Sequence, residues 1–287
     1  MPAQFNDTSQ DSINPGISIQ PGFQQFLQRG SKLVDNTVIM VFANFGYMDM
    51  LLNTLDTIQK SCPNHEVSVF VLDSSTQEAL DGMGIESYLF KSRFHPPEQD
   101  LNIWSNQWKN VVLNKLEILQ SVLRLGHRVL YTDIDIVWLK NPFPFIRDFL
   151  SEECDLLIQT EQDMMCSGFL YAKPCRGTIE LFDTRKEDIH LFPTQKDSRV
   201  DQPLLDRRIK MSKGLRYCVF PVDLFPVGHE WYRNWKILQH KAYIVHFNGV
   251  CGKRKKIYKM RRYGHWAMDK SSSSLFRTIK LVISYLY

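Results

Sequence analysis

VLYTDIDIVWLKNPFP, residues Val129 to Pro144, decides how this chain is read. Val129-Leu130-Tyr131 has the composition of a buried strand, and apolar residues resume at Ile136-Val137-Trp138. Asp133 and Asp135 stand between them. In extended chain, residues two apart share a side. Both carboxylates are therefore expected to project together, with Ile134 facing the core. Neighbouring carboxylates repel, and taking both out of water is costly. A hard divalent cation, Mg²⁺ or Mn²⁺, removes the conflict, because it takes oxygen ligands and is commonly held through substrate phosphates. The plainer reading is two turn or N-cap aspartates at a strand end. The Ile-Val-Trp-Leu that follows argues against a solvated edge and for a metal site.

Upstream, Thr37 to Phe42 (TVIMVF) and Val67 to Leu72 (VSVFVL) are apolar runs of strand length, as expected of strands covered on both faces. Between them Tyr47, Leu51, Leu55 and Ile58 recur at helical spacing, and Cys62-Pro63 stops the helix. Strand–helix–strand order implies a parallel pair. The fold class is α/β, a mostly parallel central sheet flanked by helices. Ligands in such sheets bind beyond the carboxyl ends of the strands, where Asn44, Asp73 and the two aspartates stand. Glu86 to Phe90 is a further short strand. Asn106 to Leu125 is a helix with Val112, Leu116, Leu119 and Leu123 as its stripe and Gly126 as its stop. Lys115 is either a solvated residue of that helix or a cation facing a ligand.

Downstream, Asp155 to Gln159 and Ser167 to Ala172 have strand character. Gly168 marks a β-bulge or the close approach of a backbone or ligand. Asp201 and Gln202 open a helix with Pro203 in its first turn, and the plain reading of Asp201 is an N-cap. Ala242 to Gly249 is a last strand, in which His246 and Asn248 repeat the spacing of two. A lone histidine there is commonly a satisfied core residue, yet imidazole also serves as third ligand beside two carboxylates when the metal is Mn²⁺. The basic run from Gly252 to Lys256, with Lys259, Arg261 and Arg262, is a solvated face or a polyanion surface. Beside a metal it has a sharper use: a lysine holds a leaving diphosphate while Gly249 and Gly252 let the backbone approach.

The 287 residues suffice for a sizeable core, and a net charge of +4 is too slight to imply nucleic acid. No apolar run is long enough to span a bilayer, and the N terminus lacks the basic start and apolar centre of a signal peptide. Six cysteines without a C-x-x-C pair make a zinc site unexpected. Residues 1–31 read as a flexible polar tail or stem, 32–270 as one domain, and 271–287 as a C-terminal extension.

YTDIDIVWLKNPF, CSGF at Cys166 to Phe169, DQPLL at Asp201 to Leu205 and HFNGVCGKRKKIYKMRRYGHW at His246 to Trp266 follow a strand that ends at Asn44. In this order they resemble the family 77 nucleotide-sugar transferases, retaining glycosyltransferases of GT-A fold. The resemblance covers roughly Val38 to Trp266. It implies a GT-A nucleotide-binding fold for residues 32–270, a UDP-sugar donor (xylose, galactose or arabinose), a glycan or glycoprotein acceptor, and Mn²⁺ or Mg²⁺. Carried over by residue, it implies Asp135 as a direct metal ligand and Asp133 on metal, ribose or sugar. It makes His246 the third protein ligand, with Asn248 beside the phosphates and Lys256 on the diphosphate. Asn44 falls near the nucleoside, Lys115 near the donor, and Asp201-Gln202 beside the anomeric carbon. Gly168 and Gly252 allow close approach to the donor.

Retention requires a covalent intermediate or attack from the leaving-group face. Same-face attack is the preferred reading, with Gln202 steadying the cation-like carbon; Asp201 and Asp163 are the alternative nucleophiles. Lys91 to Ser105 and Gly228 to His240, with Trp231, Tyr232 and Trp235, form an acceptor wall or else pack on the core. Members of the family carry a membrane anchor and work in the Golgi lumen. No anchor is read here, which leaves the cytosol open as well. Two competing readings stand beside the transferase. A sugar-1-phosphate nucleotidylyltransferase requires a Gly-rich loop where Ala43-Asn44-Phe45-Gly46 stands. A non-catalytic nucleotide- or polyanion-binding protein would use the basic run alone.

Overall fold

A computed structural model of the chain describes residues 20–31, 35–92, 94, 106–149, 154–186 and 201–269. Its first half runs α1 (Phe23–Ser31), β1 (Thr37–Ala43), α2 (Met48–Ser61), β2 (Val67–Val71), α3 (Ser74–Gly82), β3 (Ser87–Leu89), α4 (Asn106–Arg124), β4 (Arg128–Thr132) and β5 (Ile136–Trp138). The second half runs α5 (Phe143–Phe149), β6 (Leu156–Glu161), β7 (Met164–Ala172), α6 (Arg176–Leu181), α7 (Asp201–Met211), β8 (Tyr217–Val219), α8 (Gly228–Leu238), β9 (Ile244–His246) and α9 (Lys253–Arg262).

Alternation along β1 explains why the strand is apolar throughout. Ile39 and Val41 pack on one face of the sheet with Leu51 and Ile58 of α2. Val38 and Met40 pack on the other with Leu116, Leu119 and Leu123 of α4. Helices cover both faces, so neither set of side chains is left to water. Seven strands lie in the order β3-β2-β1-β4-β7-β6-β8. β3, β2, β1 and β4 are parallel, as are β6 and β8, and β7 runs antiparallel to both its neighbours. The mostly parallel sheet agrees with the expectation from sequence. The chain leaves β1 toward β2 and β3, then returns to set β4 on the other side of β1. Such a reversal opens a crevice at the carboxyl ends of the strands. Asn44 stands there, buried. Asp73 stands there too, but its carboxylate caps α3 by accepting from Thr76 N at 2.7 Å, and it also holds Phe45 N at 3.0 Å.

Val129 to Trp138 is two strands rather than one. β4 belongs to the main sheet, whereas β5 pairs antiparallel with β9 in a small second sheet. The expected extended course through Asp133 and Asp135 is thus corrected to a turn. Asp133 N donates to Gly168 O at 2.7 Å, and Ile136 N donates to Asp133 O at 3.2 Å. Thr54 of α2 pins the turn from behind, its hydroxyl donating to Ile134 O at 2.7 Å and lying 3.1 Å from Ile136 O.

The tail reading of residues 1–31 is also corrected where the chain is described. Phe23, Phe26 and Leu27 form an apolar stripe on α1, and Phe23 and Leu27 are buried. The Phe23 ring lies 5.7 Å from Phe70, 5.2 Å from Tyr88 and 5.9 Å from Phe90. Glutamines between these residues hide a helical period in what looks like low-complexity chain. Residues 1–19, the extension 271–287 and most of Lys91 to Ser105 lie outside the described residues. Among the described residues no helix is long and apolar enough to cross a membrane.

Candidate active site

β9 brings His246 beside the aspartate turn, because Ile136 is its partner in the β5–β9 ladder. Phe247 N then donates to Asp135 O at 2.8 Å and fixes the register. The Nε2 atom of His246 lies 3.2 Å from Asp135 Oδ1 and 3.9 Å from Asp133 Oδ2. Asp133, Asp135 and His246 each present one ligand atom within 4.8 Å of the others, close enough to share one cation. Asp135 and His246 are buried and Asp133 is partly open. The aspartates do sit in a turn, but in a largely buried one.

Two lysines flank the three. Lys256, on the first turns of α9, places Nζ 2.5 Å from Asp135 Oδ2. Gly249 at φ +72° and Gly252 at φ +87° turn the chain sharply before that helix, a conformation that L side chains rarely adopt. Lys115 comes from α4 and is buried rather than solvated. It forms an ion pair with Asp201, donates to Ser167 Oγ at 2.8 Å, and lies 3.9 Å from Asp133 Oδ1. Ser167 also donates to Asp201, and the Tyr131 hydroxyl donates to Asp133. The Asp201 carboxylate is therefore engaged by Lys115 and Ser167.

These surroundings divide the two turn aspartates. Burial alone would raise both pKa values. At Asp135 the charges of Lys256 and His246 outweigh it and hold the carboxyl well below its ordinary value. At Asp133 burial prevails over the pull of Lys115, and its pKa is raised. Burial disfavours a charged His246, yet Asp135 beside it lifts the imidazole well above its usual range.

A bulge in β7 assembles the rest. Ile158 of β6 pairs with Leu170, but Gln159 pairs with Cys166 instead of Phe169, so Ser167, Gly168 and Phe169 stand out of that ladder. Phe169 still pairs with Thr132 of β4. Ser167 and Gly168 are thereby aimed into the site, while Phe169 packs on Trp138 and Phe220 in the core. Ser167 meets Lys115 and Asp201. Gly168 makes room for a ring: a Cβ there would lie 2.2 Å from His246 Cε1 and 2.8 Å from Asp133 Oδ2. The bulge read from Gly168 is present, and what approaches it is the side chain of His246 rather than a backbone. Cys166 Sγ receives Gln202 Nε2 at 3.2 Å and lies 3.6 Å from His246 Nδ1, which brings Gln202 to the histidine. Asn248 Oδ1 accepts from Gly228 N at 2.7 Å, tying the start of α8 to the end of β9. Asp163 is exposed at the tip of the β6–β7 hairpin, apart from the buried cluster. Sequence reasoning missed Tyr131, Gln159, Cys166 and Ser167 as site residues. A polar side chain ending an apolar strand was present at Gln159, without the spacing of two that singled out His246 and Asn248.

A model of the nucleotide-diphospho-sugar transferase family matches residues 64–260. The chain belongs to that family. It is 24% identical over 292 residues to UDP-D-xylose:L-fucose alpha-1,3-D-xylosyltransferase 3 of Arabidopsis thaliana, a match covering 92% of this chain and 76% of that protein. It is 25% identical over 286 residues to UDP-galactose:fucoside alpha-3-galactosyltransferase of Dictyostelium discoideum, covering 82% of this chain but 44% of the other. The solved galactosyltransferase LgtC, in complex with donor and acceptor sugar analogues, aligns with a TM-score of 0.53. That alignment covers 84% of this chain and 99% of that one at 14% identity. At such identity the likeness shows the fold alone, which is GT-A. The chain is a glycosyltransferase of the nucleotide-diphospho-sugar transferase family, and the cluster just described gathers where the turn after β4 meets β7 and β9.

Proposed function

We propose that the chain moves a sugar, xylose, galactose or arabinose, from a UDP-sugar to a glycan or glycoprotein acceptor with retention of configuration. Asp133, Asp135 and His246 would hold Mn²⁺ or Mg²⁺. The observation that carries this reading is the convergence of those three ligand atoms between two lysines. Two carboxylates and an imidazole suit a cation that accepts oxygen and nitrogen ligands. Asp133, Asp135 and Asp201 against Lys115 and Lys256 leave one negative charge if the imidazole is neutral, so a divalent cation makes the site positive and fit for a diphosphate. Once bound, the cation supplies stabilisation of the leaving diphosphate.

The protein's own groups supply the rest. Lys256, 25% exposed, is placed to turn from Asp135 to the diphosphate as its charge grows. Engagement of Asp201 by both Lys115 and Ser167 counts against its acting as a nucleophile and favours same-face attack, with the diphosphate taking the acceptor's proton. Gln202, held toward His246 through Cys166, is the polar group left to face the anomeric carbon. For the acceptor wall, Tyr232 and Trp235 of α8 are partly open, whereas Trp231 is fully buried and serves the core. The polyanion reading loses support from the basic run itself. Lys253 donates to Gly46 O at 2.6 Å and pairs with Asp49, and Lys256 turns inward to Asp135. A Golgi location is proposed on family resemblance alone.

UDP release from a panel of UDP-sugars, with and without Mn²⁺, tests the reading. Release from one donor only with Mn²⁺, lost in Asp135→Ala, is expected. Absence of both turnover and Mn²⁺-dependent UDP binding would discard it.

A further inference from the structure

Imidazole binds a cation only through a nitrogen that carries no proton. For His246 that nitrogen is Nε2, which faces Asp135 and Asp133. Once a cation takes the Nε2 side, the proton of the neutral ring sits on Nδ1, and the contacts of Nδ1 decide how the ring is held. Gln159 Oε1 lies 3.2 Å from Nδ1 and Cys166 Sγ lies 3.6 Å from it. The thiol accepts either tautomer, since sulfur can donate or receive a hydrogen bond. The amide accepts only one, provided its two ends are not interchanged. Its far end fixes that orientation. Gln159 Nε2 donates to the Phe225 carbonyl at 2.9 Å. A carbonyl oxygen cannot donate, so the NH₂ group must face Phe225 and the amide oxygen must face the ring. The amide oxygen then receives the Nδ1 hydrogen once a cation, in place of the 3.2 Å contact with Asp135, occupies the Nε2 side.

The arrangement has little room to adjust. Gln159 is 1% exposed and sits where the β6–β7 register jumps. On the ring's other side Gly168 leaves no space beyond His246 Cε1. Partners of this kind behind a metal-binding histidine orient the ring and select its tautomer.

We infer that Gln159 is a positioning residue: it holds His246 as the Nδ1–H tautomer and so presents the Nε2 lone pair to the cation shared with Asp133 and Asp135. The inference rests on the metal-binding reading of those three residues, and the test separates the two. Mn²⁺ affinity is measured by calorimetry for the wild type, Gln159→Glu and Gln159→Met. Glutamate keeps an acceptor oxygen on Nδ1 and is expected to bind at least as tightly as the wild type. Methionine has similar length and no such oxygen, and its binding is expected to weaken about 10–100-fold. Wild-type affinity in Gln159→Met overturns the inference. Equal losses in both variants also overturn it, because they reduce Gln159 to packing. A wild type that takes up no Mn²⁺ overturns the metal reading and the inference with it.

Discussion

Lys115 and Lys256 each hold a carboxylate of one cluster, the first from the main-sheet side and the second from the side of the small sheet. The Lys115–Asp201 pair is closed: the side chains are 5% and 7% exposed, Ser167 bonds both, and the Tyr131 ring lies 5.3 Å from the ammonium. In the Lys256–Asp135 pair the lysine is 25% exposed, and Asp133 next to it is 29% exposed. Both pairs join opposite charges across the same site. One is finished by protein groups, and the other keeps a side open where charge can be exchanged. The closed pair belongs to the scaffold and the open one to the ligand.

The largest test is to remove each cation in turn. Lys115→Met leaves Asp201 and Asp133 facing each other in a buried site, and a loss of about 3–5 kcal/mol is expected in urea denaturation. Lys256→Met is expected to cost less than half as much, because water reaches its place. Equal losses would erase the distinction. Next comes the ligand. Mn²⁺ at 100 times its Kd should stabilise the wild type by about 2.7 kcal/mol. Scanning calorimetry should find that gain missing from Asp135→Asn and retained in Lys256→Met; loss in both would make Lys256 part of the scaffold.

Gly168→Ala probes the seam between the halves, since its Cβ would meet both His246 and Asp133. Overpacking of about 1–3 kcal/mol is expected, with weaker Mn²⁺ binding; unchanged stability and binding would mean that the ring moves freely. The smallest effect lies outside the site and sets the scale for an ordinary pair. Hydrogen bonds from Arg216 outweigh burial and lower the pKa of Asp155, while Arg216 is 57% exposed. Because the folded pKa is below the unfolded one, the pair's contribution is present above about pH 4 and fades as pH falls further. Asp155→Asn should remove less than about 1 kcal/mol of that acid slope in melts between pH 6 and pH 3.

The sheet and the cluster were legible in the sequence for different reasons. Thr37 to Phe42 and Val67 to Leu72 announce strands because burial on both faces leaves no polar alternation. Asp133, Asp135 and His246 stood out because charge interrupts apolar strands. Asp133 and Asp135 nevertheless do not converge through an extended chain, because the backbone turns there between two sheets. Nothing local to Ile134 encodes that turn; Thr54, some 80 residues away, holds it. The bulge at Ser167 to Phe169 was equally hidden, because it is defined by the register of β6 and not by its own residues. Lys115 remained ambiguous because a lysine beside a helical stripe looks the same whether it faces water or two carboxylates.

α1 has a practical consequence. Its Phe23 and Phe26 cover Phe70 and Tyr88, with Phe90 beside them, at one end of the main sheet. An expression boundary drawn at Lys32, where the polar composition gives way to the first strand, would bare that aromatic surface. Its product would meet its own copies through exposed rings and tend to precipitate. For recombinant work the glutamine-rich stretch is a lid on the core, and a boundary has to leave α1 and the bonds between Gln20 and Lys91 in place.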